Sequence, residues 1–136
     1  MNSFPRTTVG GVSMPRLICG SNWFLGYSHT SRAKDRFIKE LFDTPAKMAD
    51  LMEVFARHGC NAVMAPTSEK VAAGIQEVEQ RTGQKMIYVC TPTYKDANDP
   101  DSWKPAVDEA EELNATFSCP HQSITDGRLD RVNRQL

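Results

Sequence analysis

With 136 residues, 40% hydrophobic and 24% charged, the chain has the size and composition of one globular domain rather than a disordered or fibrous one. A formal net charge of -1 with no basic stripe gives no electrostatic basis for binding nucleic acid or an anionic membrane surface. No apolar run approaches the roughly 18 residues of a membrane span, and the N-terminus lacks a signal-peptide pattern, so the expectation is a cytoplasmic protein without membrane contact.

In chain order, the first signal is Gly10-Gly11 flanked by β-branched residues, which predicts a small β-hairpin over 7-15. Four short apolar runs bounded by turn residues follow at 16-20, 61-66, 85-92 and 115-120, each of strand rather than helix length. Between the first two lies a long connection, residues 21-43, in which Phe37, Ile38, Leu41 and Phe42 recur at helical spacing.

Three helices have legible ends. Thr44 caps the first, Pro45 occupies its first position, Met48, Leu51, Met52 and Phe55 form its inner face, and Gly59 closes it after His58. Thr67 or Ser68 caps the second, with Val71, Ile75 and Val78 inward and Gly83 as terminator. Ser102 is the expected cap of the third, with Pro105 in its first turn and Val107, Ala110 and Leu113 inward. A fourth pattern starts at Asp126 and runs through Leu129, Val132 and Leu136 without a closing signal.

Strands alternating with helices mean βα units and a parallel sheet, so 1-136 reads as a single α/β unit: a hairpin, then βα repeats over 16-136. Two architectures fit. One is half of a (β/α)8 TIM-type barrel, making this the N-terminal part of a longer barrel chain; the other is a small open doubly wound sheet. A half-barrel exposes two strand edges and would pair with another copy of itself or with a C-terminal half-barrel.

The stretch TVGGVSMPRLICGSNW resembles the opening of aldo/keto reductase barrels, with Gly11, Met14, Pro15, Leu17, Gly20 and Ser21 matching a Gly turn, Met-Pro, a short apolar strand and a Gly-Ser exit. The resemblance spans about sixteen residues. It implies a barrel with its site at the C-terminal strand ends, a lysine role falling on Lys95 and a histidine role on His121. The acid that the family carries after the second strand has no counterpart among Met64, Ala65, Pro66 and Thr67, and its tyrosine has none in the following helix.

In parallel α/β folds the loops after the strands form the site. Tyr27, Lys95 and His121 are therefore the expected catalytic set, and Asn22, Trp23, His29, Thr67, Thr91 and Gln122 the expected substrate contacts. A histidine there can pass protons near neutrality, Lys95 can act as base or Schiff-base amine if desolvated, and Trp23 and Tyr27 can stack on a ring. His58 reads as a partner for a helix C-terminus.

Cys19, Cys60, Cys90 and Cys119 form no CxxC pair and read as reduced, buried thiols; no metal is assigned, although Cys90, Cys119, His29 and His121 make a borderline-soft ligand set conceivable. Residues 96-101 are acidic but lack the ligand spacing of a calcium loop. Nucleotide fingerprints are absent, and the cofactor stays open. The functional expectation is a small-molecule enzyme of barrel type, with carbonyl reduction, aldol-type cleavage and isomerisation unresolved. A non-catalytic binding or self-assembly module and a metal-dependent hydrolase or isomerase are the alternatives.

Overall fold

The computed structural model describes residues 4-128. A hairpin, β1 (Arg6–Val9) and β2 (Val12–Pro15), turns through Gly10 and Gly11, both at positive φ as a two-residue type I′ turn requires. A four-stranded parallel sheet follows, in the order β3 (Cys19–Gly20), β4 (Ala62–Ala65), β5 (Ile87–Cys90) and β6 (Phe117–Ser118). The strands pair in sequence order, with Cys19 opposite Val63, Val63 opposite Tyr88, and Val89 opposite Phe117. A doubly wound sheet reverses its order at a switch point, and this sheet has no such reversal among the described residues.

The connections carry α1 (Asn22–Leu25), α2 (Arg32–Leu41), α3 (Pro45–Arg57), α4 (Glu69–Thr82) and α5 (Pro100–Glu112), with a short α6 (Gln122–Asp126) after β6. Alternate strand residues face opposite ways, and this alternation divides the core. On one face, Cys19, Val63, Ala65, Tyr88 and Cys90 pack against Phe24 of α1, Met48, Ala49 and Met52 of α3, Val71, Ile75 and Val78 of α4, and Ala110 of α5. On the other face, Ala62, Ile87 and Val89 meet Met14, with Val12 and Phe117 packed alongside. Helices cover the first face and the hairpin the second.

Arg6 pins the hairpin in place. Its Nη1 donates to the Asn61 side-chain oxygen at 3.0 Å and to the Gly59 carbonyl at 3.3 Å, at the N-terminal end of β4, while Gly10 lies beside the ring of Phe117. The hairpin thus spans the sheet from β4 to β6. β3 and β6 are the two edges, each hydrogen-bonded along one side among the described residues.

The two central helices follow their sequence signals. Thr44 and Ser68 accept from the amides of Lys47 and Val71, and His58 engages the Val54 carbonyl through Nδ1 at 2.7 Å, satisfying a helix-terminal acceptor. Gly74 lets α4 approach α3: a Cβ there would stand 2.9 Å from Met52 Cε and 3.2 Å from the Pro45 carbonyl.

Four expectations are corrected. Strand pairing is shorter than the apolar runs, most of all at the edges, where each strand has one neighbour and Leu17 is left exposed. α5 starts earlier than expected, capped by Asp99 and led by Pro100; Ser102 instead accepts from the Lys95 and Asp96 amides, and Pro105 sits in the second turn rather than the first. Asp126 ends α6, whose cap is His121, and Leu129, Val132 and Leu136 lie outside the described residues. Cys119 is exposed, because β6 stops at Ser118, whereas Cys19, Cys60 and Cys90 are buried and all four are free thiols. Burial pushes the Cys19 thiol up to about 11 and raises that of Cys90, so neither is a thiolate nucleophile at neutral pH.

Candidate functional site

The C-terminal ends of the four strands share one rim because the strands are parallel and adjacent. The ladder continues past the strands: the Thr91 amide donates to the Ala65 carbonyl, Cys119 to Cys90, and His121 to Pro92. Thr91, two residues beyond Val89, therefore keeps to the hairpin-covered face and is half-buried at the mouth.

The loop after β3 is tied down by a buried aromatic ring and by side-chain hydrogen bonds to α2. Ser21 is buried and its carbonyl starts α1, whose Phe24 is 1% exposed and meets Phe42 edge-on with ring centroids 6.4 Å apart. Gly26, at φ +80, brings the chain against Asp35 and Lys39 of α2 at a distance no side chain would fit. Ser28 is buried: its amide and hydroxyl both donate to one carboxylate oxygen of Asp35, at 2.8 and 2.6 Å, and its own oxygen accepts from the Thr30 amide and hydroxyl.

These bonds place His29 in the left-handed region, φ 56, uncommon for a residue with a side chain. His29 Nε2 lies 3.1 Å from Asn22 Nδ2. The amide nitrogen of Asn22 can only donate, so in this pairing Nε2 of His29 is the acceptor. Two expected substrate contacts are thus brought together.

The remaining expected residues are less concentrated. Trp23 and Tyr27 are about half exposed, at 54% and 51%, and each carries a lysine of α2: Lys34 Nζ is 4.7 Å from the Trp23 centroid and Lys39 Nζ 5.9 Å from that of Tyr27. One aromatic face of each is already occupied. Thr67 is half-buried just before the α4 cap. His121 caps α6 by accepting from the Ser123 amide at Nδ1, and its Nε2 has no hydrogen-bond partner among the described residues; Gln122 is exposed beside it. Lys95 is exposed and lacks the desolvation that a Schiff-base amine requires.

Sequence reasoning missed Asp35, the acceptor that holds the loop, and the basic side chains around it. Its signal was a carboxylate seven residues after a loop serine, a spacing no local motif reports. The Ser28 hydroxyl, then the Ser28 amide, holds the Asp35 carboxyl below the usual carboxylate range. A depressed carboxyl contributes its stabilisation above its unfolded value, near 4, and loses it as pH falls through the lower folded value. We expect the Ser28 and Thr30 amides, which donate to Asp35 and to the Ser28 hydroxyl, to lose hydrogen-exchange protection below about pH 4, and Asp35→Asn, which does not titrate, to abolish that acid step.

Among the described residues, no group of three His, Cys, Asp or Glu side chains is close enough to hold a metal ion. Nor is any described helix long and apolar enough to cross a membrane. The surface hollows among the described residues include one of about 470 Å³ on α2, beside the loop after β3, and one of about 240 Å³ between α4, the end of α5 and the start of β5. A scan of protein-family models, a search of curated proteins and a search of solved structures each found no match. What the fold itself defines is an α/β protein with a sequentially ordered parallel sheet and an antiparallel hairpin.

Proposed function

We propose that this chain is a half-barrel of TIM type whose assembled form is a small-molecule enzyme working at the C-terminal strand ends. The observation that carries the reading is the one-sided winding of the sheet: β3 to β6 pair in chain order, helices pack on one face, and the hairpin lies under the other. A (β/α)8 barrel likewise pairs its parallel strands in chain order, with helices outside and a packed interior. The opening resemblance to aldo/keto reductases through Met14, Pro15 and Gly20 points the same way.

Carbonyl reduction, aldol-type cleavage and isomerisation each need a proton moved at a carbonyl oxygen or its neighbouring carbon. His29, oriented by Asn22, and the Nε2 of His121 are the groups suited to that task at this rim. Closure requires four more parallel strands against β3 and β6, supplied in a solution of the isolated chain by a second copy, which also completes the rim.

The test is the native mass of the 15.2 kDa chain by light scattering. A dimer is expected. A soluble, cooperatively unfolding monomer across the accessible concentration range would overturn the reading.

A further inference from the structure

The hollow on α2, of about 470 Å³, is shallow and open to solvent, and is lined by Arg32, Asp35, Arg36 and Lys39, positions i, i+3, i+4 and i+7 of one helix face. Three of the four side chains are cations. None of the three makes an ion pair among the described residues, a condition they share with several other surface cations such as Lys34 and Lys104. The only carboxylate in the hollow, Asp35, already accepts from the Ser28 amide and hydroxyl, so one of its oxygens is committed to the loop. Asp35 remains an anion and offsets one charge, so three cations against one carboxylate leave the hollow an excess of two positive charges on a chain whose formal net charge is -1.

We infer that the α2 hollow is an oxyanion site that takes the phosphate group of a small molecule. Two guanidinium groups one turn apart offer paired donors matched to phosphate oxygens, and Lys39 adds a third charge from the next turn. The site adjoins the strand-end loop directly. Asp35 lines the hollow and holds Ser28, whose neighbour is His29, and Lys39 lies over Tyr27. A phosphomonoester anchored at Arg36 would extend toward His29 and Asn22; that extension rests on the strand-end reading, whereas the oxyanion site does not.

The experiment is a titration of the isotope-labelled protein with inorganic phosphate and, separately, with glycerol phosphate, at ionic strength held constant with sodium chloride. The structure requires saturable amide shifts within residues 31-39, and Arg36→Gln combined with Lys39→Gln should weaken both ligands about tenfold or more, the loss expected when charge-assisted hydrogen bonds are removed. Arg57→Gln, which removes a cation on α3 paired with Glu53, should leave affinity unchanged and reports on non-specific charge effects. Shifts reproduced by sodium chloride alone, or equal affinity in the double variant when its spectrum remains folded, would overturn the oxyanion site. Glycerol phosphate shifts that reach Asn22 and weaken with His29→Ala support the extension; phosphate-like binding indifferent to His29→Ala keeps the oxyanion site and overturns the extension.

Discussion

Phe24→Ala is expected to remove about 3–5 kcal/mol of stability, a large part of the roughly 5–15 kcal/mol that a domain of this size has. The side chain is 1% exposed and belongs to the helix-facing core, although it comes from a one-turn helix in the long connection after β3. Its edge-on contact with Phe42 ties the two ends of that connection together around α2, which otherwise buries only Ile38. The consequence is therefore local as well as global. Asn22 and His29 should lose their fixed separation before β4 and β5 melt. Chemical denaturation read by circular dichroism gives the global loss, and amide exchange of residues 22-31 gives the local one. A loss below about 1 kcal/mol would mean that the connection is held by something other than this ring.

The second large effect is at Tyr88, where two substitutions separate packing from polarity. The ring is 1% exposed in the centre of β5, and its hydroxyl donates to the Pro66 carbonyl at 2.6 Å. Burial raises the phenol above the usual tyrosine range, so the proton that makes this bond is retained. Tyr88→Ala creates a cavity beside Val63 and Cys90 and should cost about 3–5 kcal/mol, as for other large aromatics. Tyr88→Phe keeps the ring, strands one carbonyl at the exit of β4 and should cost about 1 kcal/mol. Denaturant midpoints of the two variants measure the split. Equal losses would show that the hydroxyl, rather than the ring, carries the contribution.

The elements most legible from sequence are those whose local and tertiary preferences coincide. α4 has a serine cap, a buried Val71, Ile75 and Val78 face and a left-handed Gly83, each readable within four residues. α2 has an equally clear apolar spacing, yet Phe37 is 61% and Leu41 49% exposed, because periodicity shows that a face exists without showing whether anything covers it. The α5 start was misplaced because Asp99, Ser102 and two prolines offer competing caps, and Ser102 is used by the loop before the helix instead. His121 was legible as a rim residue through its position after a strand. Its role as a helix cap was not, since histidine is not among the usual capping residues. The same holds for the Asn22 and His29 pair: both residues stood out by position, but the Ser28 to Asp35 bonds that bring them to 3.1 Å depend on how a loop folds back on a helix.

Exposed Phe37 and Leu41 on the outer side of α2, with Trp23 and Tyr27 nearby in sequence, leave the connection after β3 only partly covered by its own chain. The sheet has the same character at its edges, where β3 and β6 each pair over two residues. Short paired edges limit unwanted association, yet parallel sheets are otherwise found with both faces covered.

Amide hydrogen exchange of β3 and β6, measured on the particle whose mass has been determined, tests the half-barrel most directly. Cys19, Gly20, Phe117 and Ser118 should be protected to the same degree as Val63 and Val89 in a dimer, and dilution to monomer should expose them first. A native monomer in which β4 and β5 are protected while β3 and β6 exchange freely would contradict the account, because the four-stranded sheet would then be complete without a partner.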